Sequence, residues 1–277
     1  MPYLTMPDSV RLYYEEEGSG HPVIMVHGWK ASCEVYDGIS ARLKSSFRCI
    51  RYDQRGHKRS EVPAQMPQMS DLASDLATVI HKLCPPKKPT LIGCSMGGAT
   101  LLEYVKQYGD SMIDRMIIVD VSPRMINDDE WKLGRAGGSY TAEKLSSDLV
   151  LMKADFPTYM REYYLTSNPY FKDMTLGEQQ EMIAQRLDGY HPVVLTSLWE
   201  SLCNSDYRSV LPAITVPVAV FHASIMPSCL AGAARYYAEH MPGWAYTVRF
   251  ENASHALITE YPDLFSQEVR KFISYNQ

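Results

Sequence analysis

The chain has 277 residues, of which 45% are hydrophobic and 21% charged, and its formal net charge is −5. This balance suits a globular protein with one large core and room for an inserted segment, and it argues against disordered or membrane-embedded classes. No basic block is present to neutralise a run of phosphates, so nucleic acid is excluded as an expected partner and a small-molecule substrate is favoured. Oligomeric state is left open.

The first residues, Met1-Pro2-Tyr3-Leu4-Thr5-Met6, show no basic segment followed by an apolar one, and no stretch approaches the roughly 18 apolar residues of a membrane span. A cytoplasmic protein with no membrane association is expected. Cys33, Cys49, Cys84, Cys94, Cys203 and Cys229 contain no C-x-x-C pair, which argues for reduced core residues and against a zinc site. Neither metal nor cofactor is expected.

In chain order, Val10 to Glu15 alternates like a half-buried strand and Val23 to Val26 reads as a buried parallel one. Phe47 to Tyr52, Thr90 to Ile92, Met116 to Val119, Val216 to Phe221 and Ala245 to Phe250 supply further strands. Leu72, Leu76, Val79, Ile80 and Leu83 follow Ser70, a predicted N-cap, at helical spacing. Pro262 opens a last helix whose apolar stripe is Leu264, Phe265, Val269, Phe272 and Ile273.

From about Pro123 to Ser205 the strand and helix rhythm gives way to helices alone. One is predicted to carry Tyr159, Met160, Tyr163 and Tyr164. Another begins at the capping box Thr175 to Glu178 and ends near Gly189, and a third starts at Pro192 and carries Leu195, Leu198, Trp199 and Leu202. The fold class predicted is therefore α/β, a mostly parallel doubly wound sheet of about eight strands with an inserted helical cap. The core is assigned to residues 1–122 and 206–277 and the cap to 123–205.

Gly93-Cys94-Ser95-Met96-Gly97-Gly98 lies between a predicted strand and the helical run Ala99 to Val105. A nucleophilic serine needs such a strained strand-to-helix turn, with glycines to relieve crowding and a helix N-terminus facing the developing oxyanion. An ordinary glycine-rich helix start is the competing reading, and the order strand, turn, helix argues against it.

Together with this turn, Tyr13 to Gly18, His27-Gly28-Trp29, Asp53 to Ser60, Ser254-His255 and Glu260-Tyr261-Pro262 make the sequence similar to the α/β-hydrolase superfamily, especially its serine esterase and cofactor-free haloperoxidase-like branch. The resemblance covers nearly the whole chain outside the cap. It implies Ser95 as nucleophile, His255 as general base, and an oxyanion hole from the backbone N–H groups of Trp29 and Met96. His27 and the Asp53 to Ser60 turn are read as structural, with Lys58 standing where the pattern often has glycine.

The sequence departs from the family pattern at the acid, because Met226 stands after the seventh strand where an aspartate is usual. A thioether cannot hold the histidine tautomer or its charge. Asp120, ending the strand Met116 to Val119, is the preferred replacement, since some superfamily members carry their acid there; a loop-bonding role is the alternative. Glu251, four residues before His255, is the weaker candidate.

Trp131, Tyr140, Phe156, Tyr159, Tyr163, Tyr164, Tyr170 and Trp199 enrich the cap in aromatic rings. For each, core packing competes with binding, but their sum favours an apolar substrate group, and Trp131, Tyr140, Tyr159, Tyr163 and Trp199 are the pocket candidates. Gly134, Gly137 and Gly138 suit either a mobile cap entrance or a plain loop. The activity implied is hydrolysis of a small to medium, largely apolar carboxylic ester or lactone through an acyl-enzyme. The alternatives are a cofactor-independent dioxygenase, a perhydrolase or haloperoxidase-like enzyme, and a non-enzymatic ligand receptor on the same fold.

Overall fold

The computed structural model describes residues 2–167, 171–225 and 231–275. Tyr170, Met226 and Cys229 lie outside the described residues. An eight-stranded sheet runs in the order β1-β2-β4-β3-β5-β6-β7-β8. Its strands are β1 (Tyr3–Thr5), β2 (Arg11–Glu17), β3 (His21–Val26), β4 (Phe47–Tyr52), β5 (Thr90–Cys94), β6 (Arg115–Val119), β7 (Val218–Ala223) and β8 (Ala245–Phe250). The β1–β2 and β2–β4 pairings are antiparallel and those from β4 to β8 are parallel.

The parallel strands have continuous apolar runs because both their faces are covered. Ile24, Val26, Leu91 and Ile118 point into one core and Val23, Met25, Ile92 and Val119 into the other, all of them fully buried. Each such side chain contributes about 1.5–3 kcal/mol of burial. The first core is closed by α2 (Met69–Leu83) and α3 (Met96–Tyr108), and the second by α1 (Asp37–Leu43), the short α9 (Leu257–Glu260) and α10 (Pro262–Ser274). On the first face α8 (Ala231–His240) adds Ala233, Ala234 and Tyr237.

Three local expectations need correction. β1 escaped notice because a three-residue strand is too short for alternation to register. Ser70 lies inside α2; the helix is capped two residues earlier at Gln68, whose N–H donates to Asp71 Oδ2 at 2.8 Å. β7 begins at Val218, two residues later than predicted, because Pro217 has no N–H for the ladder and contributes only its carbonyl, which accepts from Met116 N at 3.0 Å.

Between β6 and β7 the chain forms α4 (Ala142–Ala154), α5 (Phe156–Ser167), α6 (Leu176–Leu187) and α7 (Pro192–Asn204), with no strand among the described residues. Thr175 and Glu178 form the capping box of α6, and Pro192 occupies the first turn of α7. Arg124 and Asp206 make an antiparallel bridge and Tyr207 N–H donates to Pro123 O at 2.9 Å. The segment thus leaves and re-enters the α/β layers at one point.

The loop after β4 is tied to α2 by a buried fork: Arg55 Nε and Nη2 donate to the two carboxylate oxygens of Asp75, each at 2.6 Å. Asp75 is only 2% and Arg55 7% exposed at the side chain. Arg55→Met strands a buried carboxylate, so it is expected to lower stability by about 3–5 kcal/mol, read as the shift in the urea midpoint.

Candidate active site

Cys94 and Val119 are register partners on β5 and β6, and Val119 in turn pairs with Phe221 on β7. Ser95 and Asp120, each one residue further on, therefore leave the sheet side by side at its carboxyl edge. Ser95 is forced into φ 53°, ψ −119° before α3 begins at Met96. Its N–H donates to Val119 O at 2.8 Å, and its carbonyl accepts from Ala99 N at 3.1 Å. The turn fits only because Gly97 presses on the neighbouring strand, where a Cβ would meet Val26 O at 2.1 Å.

Asp120 also has a left-handed backbone, φ 47°, and is fully buried. Its N–H donates to Phe221 O at 2.8 Å and its Oδ1 accepts from Ala223 N at 3.2 Å. Oδ2 lies 2.6 Å from His255 Nδ1. The loop bearing His255 follows β8 and is drawn over the end of β7 by Ile225 N–H bonding Ala253 O at 2.9 Å and Asn252 N–H bonding Ser224 Oγ at 2.8 Å. Glu251 is turned away from this pair and bridges Arg249 at 3.3 Å on the surface.

Trp29 follows β3, and its indole N–H donates to Leu195 O of α7 at 2.8 Å. Gly28 is packed against Ser95, whose Cβ would lie 3.2 Å from a Cβ added at the glycine. Met96 is the first residue of α3, so its N–H belongs to the turn that has no intrahelical acceptor. His27 braces this loop: Nε2 accepts from Gln54 N at 2.9 Å and Nδ1 bonds Gly28 O at 2.8 Å. Burial lowers the pKa of His27, as it does that of His57, which is held near 3. Lys58 adopts φ 45°, a backbone that favours glycine, and its Nζ reaches Asp188 O at 2.7 Å.

Ser95 and His255 open on one cavity of about 540 Å³, whose walls include Trp29, Tyr163, Tyr164, Trp199, Ile225 and Ile258. Of the five aromatic pocket candidates, Tyr163 and Trp199 line it. The other three do not: Tyr140 and Tyr159 stand behind that wall, Tyr140 donating to Asp148 at 2.8 Å and accepting from the Trp199 indole at 3.0 Å and Tyr159 packing on Phe156 and Tyr163, while Trp131 packs edge-on to Tyr236. Helical spacing marks a buried face without saying which ring ends at a void.

Gly134 and Gly138 serve close approach, because a Cβ would meet Met125 O at 2.4 Å and Lys132 O at 2.6 Å respectively. The sequence reading missed Lys30, Arg135 and Arg186, all of which line the cavity. An arginine set among glycines, in Gly134-Arg135-Ala136-Gly137-Gly138, was the available signal. Burial together with the Arg186 charge pulls Lys30 down to about 7, and burial pushes Tyr164 up to about 12. Among the described residues no group of three or more His, Cys, Asp or Glu stands together as a metal site, and no helix is long and apolar enough to cross a membrane.

A sheet-edge serine in a strained turn, backed by a histidine and a buried aspartate from other loops, defines a class of protein. The alpha/beta hydrolase fold family model matches residues 21–262, and the chain belongs to that family. It is 24% identical over 285 residues to the non-heme chloroperoxidase CPO-A1 of Kitasatospora aureofaciens, covering 99% of this chain and 100% of that one. It is 25% identical over 264 residues to the pimeloyl-(acyl-carrier protein) methyl ester esterase of Nitrosomonas europaea, covering 92% and 96%. Among solved structures it resembles the esterase EaEST of Exiguobacterium antarcticum, with TM-score 0.83, 26% identity and 98% of each chain covered.

Proposed function

We propose that this protein is a serine hydrolase that cleaves a carboxylic ester or lactone through an acyl-enzyme at Ser95, with residues 123–205 as a cap over the cavity. The observation that carries the reading is the 2.6 Å contact between His255 Nδ1 and Asp120 Oδ2, on the same cavity as a serine held at φ 53°. Asp120 fixes the His255 tautomer, so that Nε2 takes the Ser95 proton as Oγ attacks the carbonyl carbon. The backbone N–H groups of Trp29 and Met96 receive the oxyanion, and one such donor contributes about 2.7–4 kcal/mol to lowering the barrier. Collapse expels the alcohol oxygen, which takes the proton from His255. Water, deprotonated by His255, then attacks the acyl carbon and Ser95 leaves. The apolar walls suit the body of a small to medium substrate.

The relation to a chloroperoxidase favours one second reading, in which hydrogen peroxide replaces water at the acyl-enzyme and the product is a peracid. One experiment addresses both. p-Nitrophenyl and phenyl esters of one acid are hydrolysed with methanol or hydrogen peroxide added. An acyl-enzyme predicts one fixed ratio of methyl ester to acid for both leaving groups, and peracid only if the second reading also holds. Ratios that differ between leaving groups, or oxygen uptake in place of hydrolysis, overturn the proposal.

A further inference from the structure

The cavity in front of Ser95 is lined by three cations and by one carboxylate, Glu260. Glu260 is already occupied, accepting from Ser254 N at 2.7 Å and Ser254 Oγ at 2.5 Å. Many other arginines of this chain find carboxylates, as Arg55 does with Asp75 and Arg59 with Asp53. Among the described residues Lys30, Arg135 and Arg186 form no ion pair, and what they meet is aromatic. Lys30 Nζ donates to Tyr164 Oη and lies 4.7 Å from the centre of that ring. Arg186 is 5.5 Å from the same ring, and Arg135 lies 5.4 Å from Tyr163 and 5.1 Å from Trp199.

Two of these cations are fixed in place by their backbone. Lys30 has φ 54°, in the left-handed region where a side chain costs about 1 kcal/mol or more. Arg135 is locked at the backbone: its N–H donates to Met125 O at 2.9 Å, and its carbonyl accepts from Asn127 Nδ2 at 3.1 Å and Tyr140 N at 3.3 Å. Arg186 stays exposed, whereas Lys30 and Arg135 are half-buried. Withdrawing a charge from water without a counter-ion is unfavourable, and burial together with the neighbouring Arg186 charge depresses the pKa of Lys30. A bound anion reverses that penalty.

We infer that the ester or lactone turned over at Ser95 carries a carboxylate, received between Arg135 and the Lys30–Arg186 pair while its apolar body lies along Trp29, Tyr163 and Trp199. The guanidinium fork matches two carboxylate oxygens, and fixing that end sets the distance to the scissile carbonyl. This inference rests on Ser95 being the nucleophile.

The test compares substrates that differ in one charge. Mono-p-nitrophenyl adipate is set against p-nitrophenyl hexanoate for an anion on the acyl side, and 4-acetoxybenzoate against phenyl acetate for the alcohol side. In wild type, kcat/KM is expected to favour the anionic member of one pair by about tenfold or more, the scale of a charge-assisted hydrogen bond. Arg135→Gln and Lys30→Gly are each expected to lower that preference about tenfold, through KM. Glycine suits φ 54°, so Lys30→Gly also answers the objection that a variant fails to fold.

Ser95-dependent hydrolysis with no anionic preference in either pair overturns the inference and leaves the hydrolase reading standing. If no ester is turned over, the hydrolase reading falls instead. In that case adipate titrated against the fluorescence of Trp29 and Trp199 decides the anion site: quenching that is lost in Arg135→Gln upholds it, and none in wild type overturns it.

Discussion

Ser95→Ala is expected to reduce kcat for every ester the wild type hydrolyses by about 10⁴–10⁶-fold, since losing the nucleophile leaves only the oxyanion donors and binding. The fold should survive. The serine side chain makes no contact on which the sheet depends; what holds the turn is its backbone, through Ser95 N–H to Val119 O and Ala99 N–H to Ser95 O. Thermal unfolding within a few degrees of wild type, measured beside the kinetics, separates lost chemistry from lost structure. Retained turnover with a fully substituted protein would remove Ser95 from the mechanism.

The second large effect is at the acid. Asp120→Asn is expected to cost about 10³–10⁴ in kcat, because a neutral amide selects the wrong imidazole tautomer. The geometry says which way the amide turns. Asp120 Oδ1 accepts from Ala223 N–H, so the asparagine oxygen keeps that bond and its NH₂ faces His255 Nδ1. Nδ1 must then accept, Nε2 carries the proton, and the base is disabled before substrate arrives. Glu251→Gln, on the surface beside Arg249, is expected to change kcat by less than twofold. A large loss from Glu251→Gln with a small one from Asp120→Asn would reverse the assignment.

The chain order of the strands and the strained turn at Ser95 were readable because both are local. A run such as Val23-Ile24-Met25-Val26 has no polar face to offer solvent, and glycines around a serine between strand and helix have few other uses. The meeting of Asp120 with His255 was also reachable, since Val119, the last residue of β6, pairs with Phe221 near the end of β7 and a carboxylate after either strand can meet the same histidine. The cavity was not. Trp199 and Tyr140 are one hydrogen bond apart, yet only Trp199 lines the void, and periodicity cannot separate two buried rings. Lys30, Arg135 and Arg186 are distant in sequence, lying after β3, before α4 and on α6, and only the tertiary fold brings them to one cavity. Composition, with a net charge of −5, points away from a locally cationic site.

Covalent chemistry at one oxygen tests the role of Ser95 most directly. Wild-type protein is treated with an alkyl fluorophosphonate, which traps an activated serine, and then digested and sequenced by mass spectrometry. The expected result is one adduct per chain, on the peptide containing Gly93-Cys94-Ser95-Met96-Gly97, at Ser95, slowed at least a hundredfold in Asp120→Asn. Labelling elsewhere, or none at concentrations that saturate other serine hydrolases, would contradict the assignment of Ser95 as the nucleophile.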